Sequence, residues 1–135
     1  MILGIGIDQE EIDRIEKAIN LFKNRFLNRI FTPHEIQSVS DRTTKQKRLG
    51  AYTARFCAKE ACSKALGCGI GKHAFWQDFE VINLPSGQPE MVIKGKALQK
   101  LQEKCPEGYQ TKVHLSLSDT KQTAVAFVII EAIKI

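Results

Sequence analysis

The 135 residues include 43% apolar and 26% charged side chains, ordinary proportions for a globular protein with a core of its own. A net charge of +5 points to an anionic partner, without choosing among nucleic acid, a phosphorylated small molecule and an acidic protein. No run of about 18 apolar residues occurs, which excludes a membrane-spanning helix, and no stripe of alternating basic and aromatic residues marks single-strand nucleic-acid binding.

The chain opens with an alternating segment, residues 2–8, read as a strand. Leu3, Ile5 and Ile7 share one face; Ile2, Gly4, Gly6 and Asp8 share the other. The glycines strip side chains from the face that ends in a carboxylate, so something can approach Asp8 closely. Capping of the next helix explains Asp8 equally well. The glycine pair lacks the third glycine of a dinucleotide fingerprint. The segment has no basic start and meets an acid at Asp8, so it is not read as a signal peptide.

A helix is expected from about Glu10 to Lys23, with Ile12, Ile15, Ile19 and Phe22 on one face and Arg14 off it. Arg25 and Arg29 follow among Phe26, Leu27, Ile30 and Phe31. Thr32-Pro33-His34-Glu35 is a capping box with proline at the first helical position, so a short helix starts there. The polar stretch Asp41 to Lys47 reads as a loop.

The segment from Arg55 to Gly71 reads as the second half of a long helix closed by glycines. Ala51, Ala54, Ala58, Ala61 and Ala65 form one stripe, expected to pack closely on a sheet or another helix. Glu60 and Lys64 share a second face, and Arg55 and Lys59 a third. A Glu–Lys pair one turn apart is commonly a solvated pair contributing about 0.2–0.5 kcal/mol; a functional role needs a partner, which Asp8 offers. Gly67 is placed to end the helix. The run Gly67 to His73 is not a phosphate loop, because its spacing is short and His73 stands where a magnesium-binding hydroxyl belongs.

Trp76 to Leu84 is expected to be a strand, with Leu-Pro-Ser-Gly-Gln-Pro as a turn and Met91 to Lys94 as its return. Gly95 to Lys104 is an amphipathic helix. Lys112 to Ser118 and Thr123 to Ile133 form a hairpin, the second strand apolar on both faces and expected to be buried on both. Mixed rather than alternating elements give an α+β class. His34, His73 and His114 are scattered and take no leading role. Cys57, Cys62, Cys68 and Cys105 lack CxxC spacing and are expected to be reduced thiols in a cytoplasmic protein.

Several motifs recur in one family order. They are Gly-Ile-Gly-Ile-Asp at 4–8, Arg14-Ile15, Arg29-Ile30-Phe31-Thr32 with Glu35, the whole of Arg55 to Gly71, Gly87-Gln88-Pro89, and Ser116-Leu117-Ser118. Together they resemble the holo-[acyl-carrier-protein] synthases, the small bacterial 4′-phosphopantetheinyl transferases, from residue 2 to about Glu131. The resemblance implies a single domain over 1–135, an antiparallel sheet packed on one long central helix. It also implies transfer of the phosphopantetheine arm of coenzyme A to a serine of acyl carrier protein in fatty-acid synthesis, releasing adenosine 3′,5′-bisphosphate.

The same resemblance assigns Asp8, Glu60 and Lys64 to catalysis, with Asp8 and Glu60 on Mg²⁺. Arg55, Lys59, Lys64, Gly67, Gly87, Pro89 and Ser116 go to coenzyme A. Arg55 and Lys59, rotated by roughly 100–140° from Glu60 on a helix, would meet the 3′-phosphate or an adjacent subunit. Arg14, Arg25 and Arg29 go to the acidic carrier. A homotrimer with sites between subunits is implied. A metal-bound water is the preferred relay for the serine proton, with Glu60 or Asp8 receiving it, since a carboxylate already on Mg²⁺ is a poorer direct base. Asp119 departs from the pattern, since many relatives have histidine after the Ser-x-Ser pair. The rival from another class is a basic, non-enzymatic module binding nucleic acid or an acidic protein, favoured if Asp8 and Glu60 lie far apart.

Overall fold

The alanine stripe is the inner face of the longest helix, and it is buried along its length: Ala54, Ala58, Ala61 and Ala65 are all at most 5% exposed. The structure, a computed structural model, describes residues 1–135. In chain order the elements are β1 (Ile2–Glu11), α1 (Ile12–Phe22), α2 (Asn24–Ile30), α3 (Pro33–Ser40) and α4 (Lys45–Leu66). A 3-10 turn (Trp76–Asp78) leads to β2 (Phe79–Asn83), followed by β3 (Pro89–Ile93), α5 (Gly95–Lys104), β4 (Tyr109–Asp119) and β5 (Thr123–Lys134).

Two antiparallel sheets lie against α4, one of order β1-β5-β4 and the other the β2-β3 hairpin. This is the α+β arrangement expected, with the long helix at its centre. Alanines and glycines let backbone meet backbone: a Cβ on Gly4 would come 1.8 Å from the carbonyl oxygen of Ala65, and one on Gly6 equally close to that of Ala61. The inner face of β5 fills the rest, with Ala124, Ala126, Val128, Ile130 and Ala132 buried. Burying a valine or isoleucine there stabilises by about 2 kcal/mol. A second apolar cluster surrounds Phe31 and Tyr52, joining α1 to α3 with the start of α4.

Helix boundaries follow local chemistry. The Thr32–Glu35 capping box forms in full at the start of α3. Gly67 ends α4 in the left-handed conformation, φ 79°. Beyond shifts of one to three residues at the ends of β3, β4 and β5, four boundaries differ from expectation. β1 runs on to Glu11, because β5 pairs with it as far as Thr123, so α1 starts at Ile12. The segment Asn24–Ile30, left unassigned in the sequence, is helix α2, separated from α1 by Lys23 at φ 51°. α4 starts at Lys45, where the Thr44 hydroxyl accepts from Lys47 N at 3.1 Å, shortening the expected loop. Trp76–Asp78 is a 3-10 turn rather than strand.

The expectation that β5 is buried on both faces is corrected. Its outer residues Val125 and Ile129 are half-buried and Phe127 is 40% exposed, because no element of this chain covers that side of the sheet. Ile5 and Ile7, exposed by 60% and 58%, extend the same open face across β1.

Candidate active site

Alternation on β1 sends Gly4, Gly6, Asp8 and Glu10 toward α4. With two glycines in contact with the helix backbone, β1 lies so close that Asp8 meets the next outward turn of α4. Lys64 Nζ donates to Asp8 Oδ1 at 3.0 Å and to the Ile7 carbonyl at 3.0 Å. Glu60 stands one turn before Lys64. Its carboxyl is pushed above the ordinary value, first by burial and then by the negative charge of Asp8, with Lys64 opposing. Asp8, Glu60 and Lys64 are thus brought together, which removes the condition that favoured the basic-module reading.

Two neighbours complete the cluster. Glu10 adds its charge to the pressure on Glu60 and is held by Arg14 Nη1 at 3.3 Å; the alternation on β1 was signal enough to place it there. Cys57 lies beneath, its thiol pushed far up by burial and by Asp8. The chain assembles no cage of three or more His, Cys, Asp or Glu groups. What it supplies is a pair of carboxylates, Glu60 raised by burial first and by Asp8 second, with the Lys64 ammonium as counter-charge. That donor set fits Mg²⁺, which takes only one or two carboxylates and keeps oxygens of water and substrate phosphate.

A second basic region lies further along α4. Arg55, five residues before Glu60, sits about 7.5 Å down the helix axis in a cleft of about 490 Å³ lined by Arg42, Lys47, Asn83, Gly87 and Pro89. Arg55 is 2% exposed, and its Nε has no hydrogen-bond partner. Its guanidinium is held below its ordinary value by burial first and by Arg42 second. Asn83, with its amide oxygen turned inward, accepts from Arg42 Nη2 at 3.3 Å and Arg55 Nη2 at 3.2 Å. A buried, under-partnered cation beside other cations is a place for an anion. Asp119 lies on the same cleft, against Gly50, where a Cβ would meet its Oδ2 at 2.9 Å. Arg42, Lys47 and Asn83 escaped the sequence reading because nothing local marks them.

Arg25 and Arg29 flank a third, largely apolar cleft of about 440 Å³, walled by Phe22, Phe26, Phe56 and Trp76. Phe56 and Trp76 stack at 4.9 Å between ring centroids. Arg14 is exposed beside the acidic cluster.

Three of the expected coenzyme A residues stand elsewhere. Lys59 is a correction: it is wholly buried, its ammonium 2.7 Å from Glu35 Oε1 and hydrogen-bonded to the carbonyls of Trp76 and Phe79. All three of its protons are taken, so it is not available to a phosphate. Gly67 shapes the exit of α4. Ser116 is on the outer face of β4, opposite Phe127, away from the Asp8 cluster of its own chain.

Comparison with known proteins follows the geometry. The family model of the 4′-phosphopantetheinyl transferase superfamily matches residues 4–128. A holo-[acyl-carrier-protein] synthase of Xanthobacter autotrophicus is 47% identical over 133 residues, covering 98% of this chain and 96% of that one. Among solved structures, the Neisseria meningitidis holo-[acyl-carrier-protein] synthase superposes with a TM-score of 0.81 at 34% identity, over 97% of this chain and 99% of that one. The Bacillus anthracis holo-(acyl-carrier-protein) synthase, solved in complex with CoA (3′,5′-ADP), gives 0.77 at 36% identity over 96% of each chain.

Proposed function

Since the chain belongs to the 4′-phosphopantetheinyl transferase superfamily, we propose that the Asp8–Glu60–Lys64 cluster is where it works on coenzyme A and an acyl carrier protein. The activity is that of a holo-[acyl-carrier-protein] synthase: the phosphopantetheine arm passes from coenzyme A to a serine of the apo carrier. The serine oxygen attacks the phosphorus next to pantetheine, the bond to the bridging oxygen breaks, and adenosine 3′,5′-bisphosphate leaves.

Asp8 and Glu60 would hold Mg²⁺, which would supply positive charge to offset that of the diphosphate so that an oxygen nucleophile could approach. Lys64 turns from Asp8 to the same diphosphate and stabilises the charge that grows on the departing phosphate. The serine proton passes by way of a water to the carboxylate pair, Glu60 or Asp8 receiving it. Arg55, with Arg42 and Lys47, binds the remaining phosphate of coenzyme A, and Gly87 and Pro89 form the wall beside it. Arg14, Arg25 and Arg29 meet the acidic carrier, a contact that chiefly speeds association, and the apolar cleft between Arg25 and Arg29 receives its apolar residues.

The open face carrying Ile5, Ile7 and Phe127 is covered by further copies of the chain in a homotrimer. Ser116 on that face reaches the coenzyme A of the neighbouring protomer. No helix is long and apolar enough to cross a membrane; four free cysteines suit the reducing cytoplasm, where the enzyme serves fatty-acid synthesis. All 135 residues act as one transferase domain.

The observation that carries this reading is the 3.0 Å contact of Lys64 with Asp8, on the helix turn that also bears Glu60. The test is direct: incubate with coenzyme A, Mg²⁺ and apo carrier, and follow the mass gain of the arm on the carrier. The wild type is expected to load it, Asp8→Asn and Glu60→Gln to abolish loading with unchanged circular dichroism, and Lys64→Ala chiefly to lower kcat. Full activity in either carboxylate variant refutes the assignment.

A further inference from the structure

The buried Lys59–Glu35 pair is the largest investment of charge in the interior, and the chemistry at Asp8 and Glu60 makes no use of it. Both side chains are 0% exposed. Burying an ion pair brings little net stability unless its hydrogen-bonding groups are matched, and here all three ammonium protons and both carboxylate oxygens have partners. Lys59 Nζ donates to Glu35 Oε1 at 2.7 Å, to the Trp76 carbonyl at 3.2 Å and to the Phe79 carbonyl. Glu35 Oε1 also accepts from Thr32 N at 2.9 Å, and Oε2 accepts from Val81 N at 2.9 Å. One pair of side chains therefore ties four places together: α4, the corner between α2 and α3, the 3-10 turn, and the start of β2.

These places form the walls of the apolar cleft. Phe56 comes from α4, three residues before Lys59; Trp76 is the residue whose carbonyl Lys59 holds; Ile30 lies two residues before the Thr32 that Glu35 holds. The Lys59 ammonium also stands 5.8 Å from the centroid of the Phe31 ring. Gln77, next to Trp76, adds a bond to the Phe31 carbonyl at 2.9 Å. The cleft has no backbone ladder of its own across this junction. One turn before Lys59 on the same face of α4, the end of β2 that carries Asn83 is held by pairing with Pro89 of β3, so the Arg55 cleft has a backbone tie of its own.

We propose that Lys59 and Glu35 are positioning residues for the carrier protein: they lock the Phe56–Trp76 wall of the apolar cleft to the residue that precedes Glu60. The cleft is then preformed for the carrier before it docks, so the pair acts on carrier affinity rather than on the chemical step. This rests on the reading above that the cleft between Arg25 and Arg29 receives the carrier.

Initial rates of carrier loading test it, with coenzyme A and apo carrier varied in turn, for the wild type, Glu35→Gln, Lys59→Met and the double variant Arg25→Ala/Arg29→Ala. Trp76 is the only tryptophan, so its emission reports the cleft wall without reference to activity. Glu35→Gln and Lys59→Met are expected to raise the carrier KM about tenfold and to red-shift Trp76 emission, with the coenzyme A KM and kcat held within about twofold. The double arginine variant is expected to raise the carrier KM with Trp76 emission unchanged. If it does so while Glu35→Gln leaves the carrier KM unaltered, the positioning role is refuted and the docking reading stands. If none of the three raises it, the docking reading falls first. An equal loss in both KM values and kcat assigns the pair to global stability and also refutes the proposal. Glu35→Gln keeps side-chain volume and an acceptor for Lys59, so it decides the matter if Lys59→Met does not fold.

Discussion

Gly6 and Ala61 touch through backbone alone: a Cβ on Gly6 would end 1.8 Å from the Ala61 carbonyl oxygen. That contact sets the separation of β1 from α4, and with it the separation of Asp8 from Glu60 and Lys64. Gly6→Ala has no flexible neighbour to move aside, so the strand must lift. The expected cost is about 1–3 kcal/mol of stability and about a hundredfold in kcat, since a displacement near 1 Å is enough to spoil a reacting geometry. Urea unfolding and carrier-loading rates check the two effects separately.

Arg55 is the buried cation with an unpartnered Nε in the cleft it shares with Arg42 and Lys47. Arg55→Met removes a charge-assisted contact and is expected to raise the KM for coenzyme A about tenfold with kcat little changed. A coenzyme A titration at saturating carrier measures this. An unchanged KM would remove Arg55 from the substrate site.

Glu80 provides a pH-dependent test of the corner that frames the cleft. Burial by itself pushes its carboxyl up, but the Thr32 hydroxyl and the Lys94 ammonium at 3.2 Å outweigh that and hold it below the ordinary value of 4.5. A carboxylate whose folded value is depressed stabilises the fold at neutral pH. That stabilisation is lost as pH falls from the unfolded value through the folded one. Glu80→Gln is expected to cost about 1 kcal/mol at neutral pH, mostly through Thr32 because Lys94 is half-exposed. Urea unfolding between about pH 7 and about pH 3 should show wild type and variant converging at the acid end.

Phe127 lies at the middle of the open face of the sheet, between Ile7 on β1 and Ser116 on β4. Phe127→Glu places a charge where the proposed subunit contact must be dry. Sedimentation is expected to give a trimer for the wild type and a monomer for the variant. The variant should also have a raised KM for coenzyme A, because Ser116 of the neighbour is lost from each site. A trimeric variant, or a monomeric wild type of full activity, would contradict the assembly.

The elements read most securely in the sequence are those specified by neighbours along the chain. The alanine stripe of α4, the Thr32–Glu35 box, the Gly67 exit and α5 are local patterns, and each stands where expected. Asp8 and the Glu60–Lys64 turn meet because glycine alternation and alanine periodicity both announce close backbone approach. Lys59 departs from expectation for a reason that periodicity cannot supply. Its angle on α4 is legible, but not that Glu35 returns from another helix to neutralise it on that side. The same limit explains Arg42 and Asn83, which reach the Arg55 cleft from a loop and a strand end. β5 is apolar on both faces, and composition gives no means of telling the face that meets α4 from the face left open.

The strand that bears Asp8 has its only ladder partner at the other end of the chain: Ile5 pairs with Ile129 and Asp8 with Ala126, while β4 occupies the far side of β5. During synthesis β1 therefore waits, unpaired and rich in isoleucine, until β5 has emerged. Contacts so distant along the chain slow folding, and a waiting apolar edge is open to aggregation. The Asp8 half of the candidate site is thus expected to be the last part of the molecule to take shape, and a ribosome-bound fragment ending before β5 to lack it altogether.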